Sequence, residues 1–252
     1  MSAALLAAVA VLVGFFIGSV GVGGVLLIPA LALLGGVDGP MSIHHAAATA
    51  LISFFFTGLL GSWLFYRRGS MDWRMALPVC AGSVLFSYLG ALLAARVAPR
   101  PLTLLIAAII VFAGVYVLLP SRRADHGYRD GRGAAQQGLL AGVGAVAGLG
   151  SGLSGAGGAL FSVPMMMALG FAPLAAIGTS QVLQIVVAAS GTAGTVQQGF
   201  VDWRVAALVS AFQLGGVMLG TRAAHAVSGL VLRRLAGALC VASAGLLLWR
   251  TL

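Results

Sequence analysis

The chain alternates long apolar runs with short polar breaks. Apolar stretches cover approximately 3–35, 43–66, 73–95, 101–119, 136–169, 174–196, 203–224 and 230–249. Most reach the roughly 20 residues that a helix needs to cross a bilayer. Trp63, Trp73, Trp203 and Trp249 sit near segment ends, where amphipathic rings favour the membrane interface. The pattern predicts an all-α polytopic membrane protein with short loops. The one long polar stretch, Ser121 to Gln137, carries Arg122, Arg123, Asp125, Arg129, Asp130 and Arg132 and divides the chain nearly in half. It predicts a first transmembrane repeat over 1–120, a polar linker over 121–135 and a second repeat over 136–252. The N-terminal run has no basic n-region, so it reads as the first membrane segment and not as a removed signal.

The two halves repeat each other. Asp72-Trp73-Arg74 recurs as Asp202-Trp203-Arg204, a shift of 130 positions. The same shift pairs Thr49 with Thr179, Gly69 with Gly199, Gly90 with Gly220, Ala94 with Ala224 and Val97 with Val227. Gly21-Val22-Gly23-Gly24 matches Gly155-Ala156-Gly157-Gly158, and Pro29 and Pro164 follow each motif. Matched positions in one register predict two homologous halves of four apolar segments.

The first segment of each half is too long for one crossing and carries glycines at its middle. Gly148, Gly150, Gly152, Gly155, Gly157 and Gly158 crowd the second copy. Each Gly costs a helix about 1 kcal/mol relative to Ala. The expectation is an unwound stretch followed by a short helix, over 25–34 and 159–169. Such a helix is about 15 Å long at 1.5 Å per residue, roughly half the hydrocarbon core. Unwound backbone survives at membrane depth only where protein or a cavity covers it. Paired broken segments point to a transporter's substrate site. Free N–H groups and the positive dipole end at each break suit an anion. The candidate cradle is therefore Gly21, Gly23 and Gly24 with Gly155, Gly157 and Gly158. Close helix packing is the competing account of these glycines.

The next segment of each half offers polar groups: His44, His45, Thr49, Ser53 and Thr57, then Thr179, Ser180, Gln181 and Gln184. Thr49, Thr179, Ser180 and Gln181 are the candidate side-chain donors to the anion. Interhelical hydrogen bonding is their alternative role. His44 and His45 are candidates for a proton or substrate contact. Arg222 is a further candidate, with snorkelling to the interface as its plainer role. Asp72 and Asp202 read as local partners of helix entries beside Arg74 and Arg204. Cys80 and Cys240 lie in apolar runs and read as packing residues. No Cys or His spacing fits a metal site, and no cofactor is implied.

Composition sharpens this picture. The chain of 252 residues is 60% hydrophobic and only 8% charged, against roughly 25% charged in soluble domains. The net charge of +9 is fourteen Arg against five Asp, since there is no Lys and no Glu. It does not indicate a nucleic-acid partner. If each broken segment returns to its own side, each half crosses an odd number of times and the halves are inverted. Arg67, Arg68, Arg74, Arg122, Arg123, Arg129, Arg132, Arg222, Arg233 and Arg234 then share one face, the cleaner positive-inside arrangement. That predicts inverted repeats, a cytoplasmic linker and both termini outside. All five Asp lie at segment ends or in polar stretches, so no buried carboxylate offers itself for proton coupling.

These motifs resemble the sulfite exporter TauE/SafE family, also called the toluene sulfonate uptake permease family. The Gly-rich stretch Gly18 to Gly24 running into Pro29, and Gly152 to Pro164, are similar to its duplicated motif. So are His45-Ala46, Gly178-Thr179-Ser180 and the turn Arg68-Gly69-Ser70-Met71-Asp72-Trp73-Arg74. This sequence departs from the pattern at Val25 and at Ala48-Thr49-Ala50. The resemblance implies a plasma (inner) membrane transporter of sulfur-containing or organic anions such as sulfite, sulfonates or sulfoacetate. The expected partners are a small anionic substrate, the lipid bilayer and a coupling ion, proton or sodium. A channel-like pore for anions or small solutes is the rival reading. An intramembrane enzyme has no acid pair, metal cluster or Ser-Lys or Ser-His constellation behind it.

Overall fold

The structure is a computed structural model that describes residues 3–34, 41, 43–94, 133–196 and 201–251, with positions 108, 111, 115 and 118 between them. Every regular element among these residues is a helix. In chain order they are α1 (Ala3–Val20), α2 (Gly24–Leu34), α3 (Ile43–Arg67), α4 (Trp73–Ala94), α5 (Ala134–Ser154), α6 (Ala159–Ala168), α7 (Pro173–Val196), α8 (Trp203–Ala226) and α9 (Gly229–Thr251). Among the described residues, four helical stretches are long and apolar enough to cross a membrane: His45–Arg67, Trp73–Leu93, Pro173–Ala193 and Trp203–Ala226. Large apolar side chains such as Leu77, Leu85, Phe86, Trp203 and Leu219 lie exposed on them. In lipid, an outward apolar face carries no hydrophobic penalty, so the fold is that of a multi-pass membrane protein. The segment expected over 101–119 is helical at its four described positions, and residues 121–132 of the linker lie outside the described residues.

Both first segments break where the glycines cluster, but the second break is narrower than the pattern predicts. Gly148, Gly150 and Gly152 remain helical within α5. A Cβ on Gly144 or Gly152 would overlap the carbonyl oxygen of Val79 or Ser87 on α4. Close backbone packing, the competing account, holds for these glycines: it outweighs their poor helix propensity. The break itself spans only Gly155 to Gly158. α5 starts at Ala134, and its N-cap is Gly133.

Two glycine seams join the halves. On α1 and α8, a Cβ on Gly14 or Gly18 would overlap the carbonyl oxygens of Gln213 or Val217, and one on Gly216 or Gly220 those of Val11 or Phe15. These contacts advance together along both helices, so α1 and α8 run parallel. The α4–α5 seam does the same, through Val79 with Gly144, Ser83 with Gly148 and Ser87 with Gly152. At the centre α3 and α7 cross antiparallel, pairing Gly61 with Gln181, Thr57 with Gln184 and Leu51 with Gly191.

The two Asp-Trp-Arg turns sit at opposite ends of α3. Asp72, just past the C-terminus of α3, caps the N-terminus of α4, accepting from the Arg74 N–H at 2.9 Å. Asp202 caps α8, accepting from the N–H groups of Arg204 and Val205 at 3.0 Å, while its own N–H donates to Thr49 Oγ1 at 3.3 Å near the start of α3. The far end of α8 meets the far end of α3. There His225 Nε2 is 2.8 Å from Ser70 Oγ, and Arg68 Nη1 donates to the Thr221 carbonyl at 3.2 Å.

Candidate functional site

The helices deliver both breaks to the middle of the bundle. α1 ends at Val20, and Gly21 turns the chain with φ +80°. Its N–H donates to the Ile17 carbonyl at 3.0 Å. α2 then starts at Gly24. In the second half Gly155 (φ +68°) closes α5, donating to Ser151 at 2.7 Å, and Gly157 (φ +84°) turns the chain into α6. Positive φ at these sites favours glycine, because a Cβ meets the backbone there.

The short helices fold back toward the start of the following helix. Gly24 lies beside Phe54 of α3, whereas Ile28, one turn on, lies beside Gly155, which also touches Ala47. Gly158 lies beside Leu183 and Val187 of α7, and Val163 beside Gly21. The breaks touch directly: a Cβ on Gly24 would overlap the Ala156 carbonyl oxygen. All of Gly21, Gly23, Gly24, Gly155, Gly157 and Gly158 are buried.

The geometry is rich in hydrogen-bond donors. The N–H groups of Val22, Gly23 and Gly24, and of Gly157, Gly158 and Ala159, meet no acceptor among the described residues. The N-cap Gly158 has no side chain to satisfy the first turn of α6. Buried backbone donors are rarely left without partners. Helix N-termini with open N–H groups are the kind of backbone end at which anions are held in proteins generally.

The side chains expected around this cradle divide. Ser180 joins it: a Cβ on Gly21 would lie 2.8 Å from Ser180 Oγ, which itself donates to the Ile177 carbonyl at 2.7 Å. Gln181 also joins, donating through Nε2 to the Ile17 carbonyl at 2.8 Å in the last turns of α1. Gln184 donates to Thr57 Oγ1 across a long 3.5 Å. The Oε1 atoms of Gln181 and Gln184 are buried without a partner. Thr49 stands apart, at the entry to α8. Its repeat mate Thr179 is fully buried with an unpartnered hydroxyl, next to Gly178, which packs against Phe65 and Ser70. His45 is half-buried in the first turn of α3, and the His44 side chain lies outside the described residues. Arg222 is exposed near the end of α8. No three His, Cys, Asp or Glu side chains cluster among the described residues.

Two residues here escape the sequence pattern. Phe54 reaches both breaks: its ring would be 3.0 Å from a Cβ on Gly24 and 3.6 Å from one on Gly157. It reads as one apolar residue among many, and only its repeat position, opposite Gln184, marks it. Gln213 on α8 is fully buried, and neither amide atom has a partner among the described residues. Its repeat mate is Ser83, whose hydroxyl donates to the Cys80 carbonyl at 2.8 Å.

Broken apolar helices that meet inside a multi-pass bundle define a membrane transport protein. A family model described as sulfite exporter TauE/SafE matches residues 6–247. The chain belongs to this sulfite exporter TauE/SafE family. It is 28% identical over 246 residues to the probable membrane transporter protein YdhB of Bacillus subtilis (strain 168), covering 94% of this chain and 96% of the relative. It is 27% identical over 247 residues to a probable membrane transporter protein of Xylella fastidiosa (strain 9a5c), covering 95% and 92%. No solved structure matches the chain significantly.

Proposed function

We propose that this protein carries a small anion, sulfur-containing or organic, across the plasma (inner) membrane by alternating access at the paired breaks. The observation that carries the reading is the contact between the two glycine breaks, each heading a short helix with open N–H groups. Such donors hold an anion without a fixed positive charge that would trap it. The family name adds sulfite and sulfonates as the first substrates to try.

The repeats are read as inverted. The antiparallel crossing of the equivalent helices α3 and α7 supports this, as do the capped turns at opposite ends of α3. Arg67, Arg68 and Arg74 gather near the end of the bundle that also holds Arg222. A positive-inside bias makes that end cytoplasmic, along with the linker, and puts both termini outside. The glycine seams tie α1 to α8 and α4 to α5, so each rocking body mixes helices from both halves. A proton or sodium ion is the expected coupling ion.

Reconstitution tests the reading. Purified protein in liposomes should take up labelled sulfite or a sulfonate with saturable counterflow. Gly24→Leu and Gly157→Leu should insert normally but lose uptake. Unchanged transport in both variants would overturn the site, and conductance far above carrier turnover would turn the reading to a pore.

A further inference from the structure

Resting on the transport reading above, we infer that the cradle is amphipathic and that Phe54 selects an organic anion over an inorganic one. The backbone of the site repeats between the halves, but its walls do not. At the 130-residue shift, Ala50 of α3 answers to Ser180 of α7, Leu51 to Gln181 and Phe54 to Gln184. All six are buried.

On α7, Ser180, Gln181 and Gln184 are polar, while Leu183 and Val187 lie against Gly158. Ser180 Oγ stands beside Gly21. The Gln181 and Gln184 amide nitrogens each have one acceptor, at Ile17 and Thr57, and so keep a second N–H to donate. On α3 the matching positions carry Ala50, Leu51 and Phe54, beside the buried Ser53 and Thr57, and the Phe54 ring lies against both breaks at once. An anion seated between the walls meets donors on one side and a hydrocarbon ring on the other.

That arrangement discriminates by hydration. A compact inorganic anion such as sulfite is hydrated on every side, and the Phe54 ring replaces none of the hydrogen bonds lost there. A sulfonate or carboxylate with a small organic body directs its oxygens to the N–H groups and lays its C–H surface on the ring. The ligand class is therefore a monoanion with one charged end and one apolar end.

The test is a selectivity ratio in liposomes containing the purified full chain. Initial rates give kcat/KM for ethanesulfonate, benzenesulfonate and sulfite in the wild type, Phe54→Gln and Phe54→Leu. The wild type should favour both sulfonates over sulfite. F54Q, which copies the residue of the other wall, should lower the sulfonate-to-sulfite ratio by roughly 10-fold or more, the scale of an apolar specificity contact. F54L keeps an apolar wall and should retain most of the preference. A wild type that prefers sulfite, or a ratio unchanged in F54Q, overturns the inference while leaving anion transport standing. If F54Q does not fold, the wild-type ratio decides. A wild type that moves no anion overturns the transport reading and this inference with it.

Discussion

At single positions, the site depends on what a methyl group would meet. Gly157 has φ +84° and sits where the chain turns into α6. Gly157→Ala should cost about 1–2 kcal/mol of conformational strain and lower the transport rate, read as initial uptake with protein amount controlled. Asp202 has a different part. Its carboxylate caps α8 and accepts two backbone N–H groups. Asp202→Ala should lower stability by about 0.5–2 kcal/mol, read as a drop in Tm in detergent. Sequence pattern made these glycines and aspartates visible because each has a matched copy. Phe54 stayed hidden: an apolar residue in an apolar helix looks the same whether it faces lipid, core or substrate.

Helices in this bundle hold together through glycine more than through polar bonds. Lipid tails are as apolar as the side chains, so close backbone approach drives association. Neighbouring glycines on α8 separate this effect from simple helix propensity. A Cβ on Gly216 would overlap the Val11 carbonyl of α1, whereas one on Gly215 meets nothing within 4 Å. Gly216→Ala should destabilise by about 1–3 kcal/mol, while Gly215→Ala should be neutral or stabilise by up to about 1 kcal/mol. Thermal unfolding of the two variants side by side checks the contrast. The same distinction explains why the break in the second half is short. Glycine density suggested unwinding from Gly148 onward, but three of those glycines serve the seam with α4 or the approach of Phe161.

Across the whole molecule, the arrangement of the repeats has a direct test. Met71 lies in the turn between α3 and α4, and Val201 precedes α8. With Cys80 and Cys240 replaced by alanine, Met71→Cys and Val201→Cys should label with an impermeant maleimide from opposite sides of the membrane. Labelling from the same side would overturn the inverted arrangement. The Arg68–Thr221 bond already brings the end of α3 to the end of α8. It places Thr221, next to Arg222 in the chain, at the Arg68 end of the bundle.

The sequence alone determined the class of protein, the helical segments and the two broken ones. Those features depend on local quantities: apolar length, glycine propensity and matched motifs. Tertiary structure decided which glycines unwind and which pack, and that α1 pairs with α8 and α5 with α4. It also brought the two breaks into contact, with Ser180, Gln181 and Phe54 beside them and Thr49 elsewhere. These outcomes depend on which backbone meets which across the bundle, and no local property of a segment carries that information.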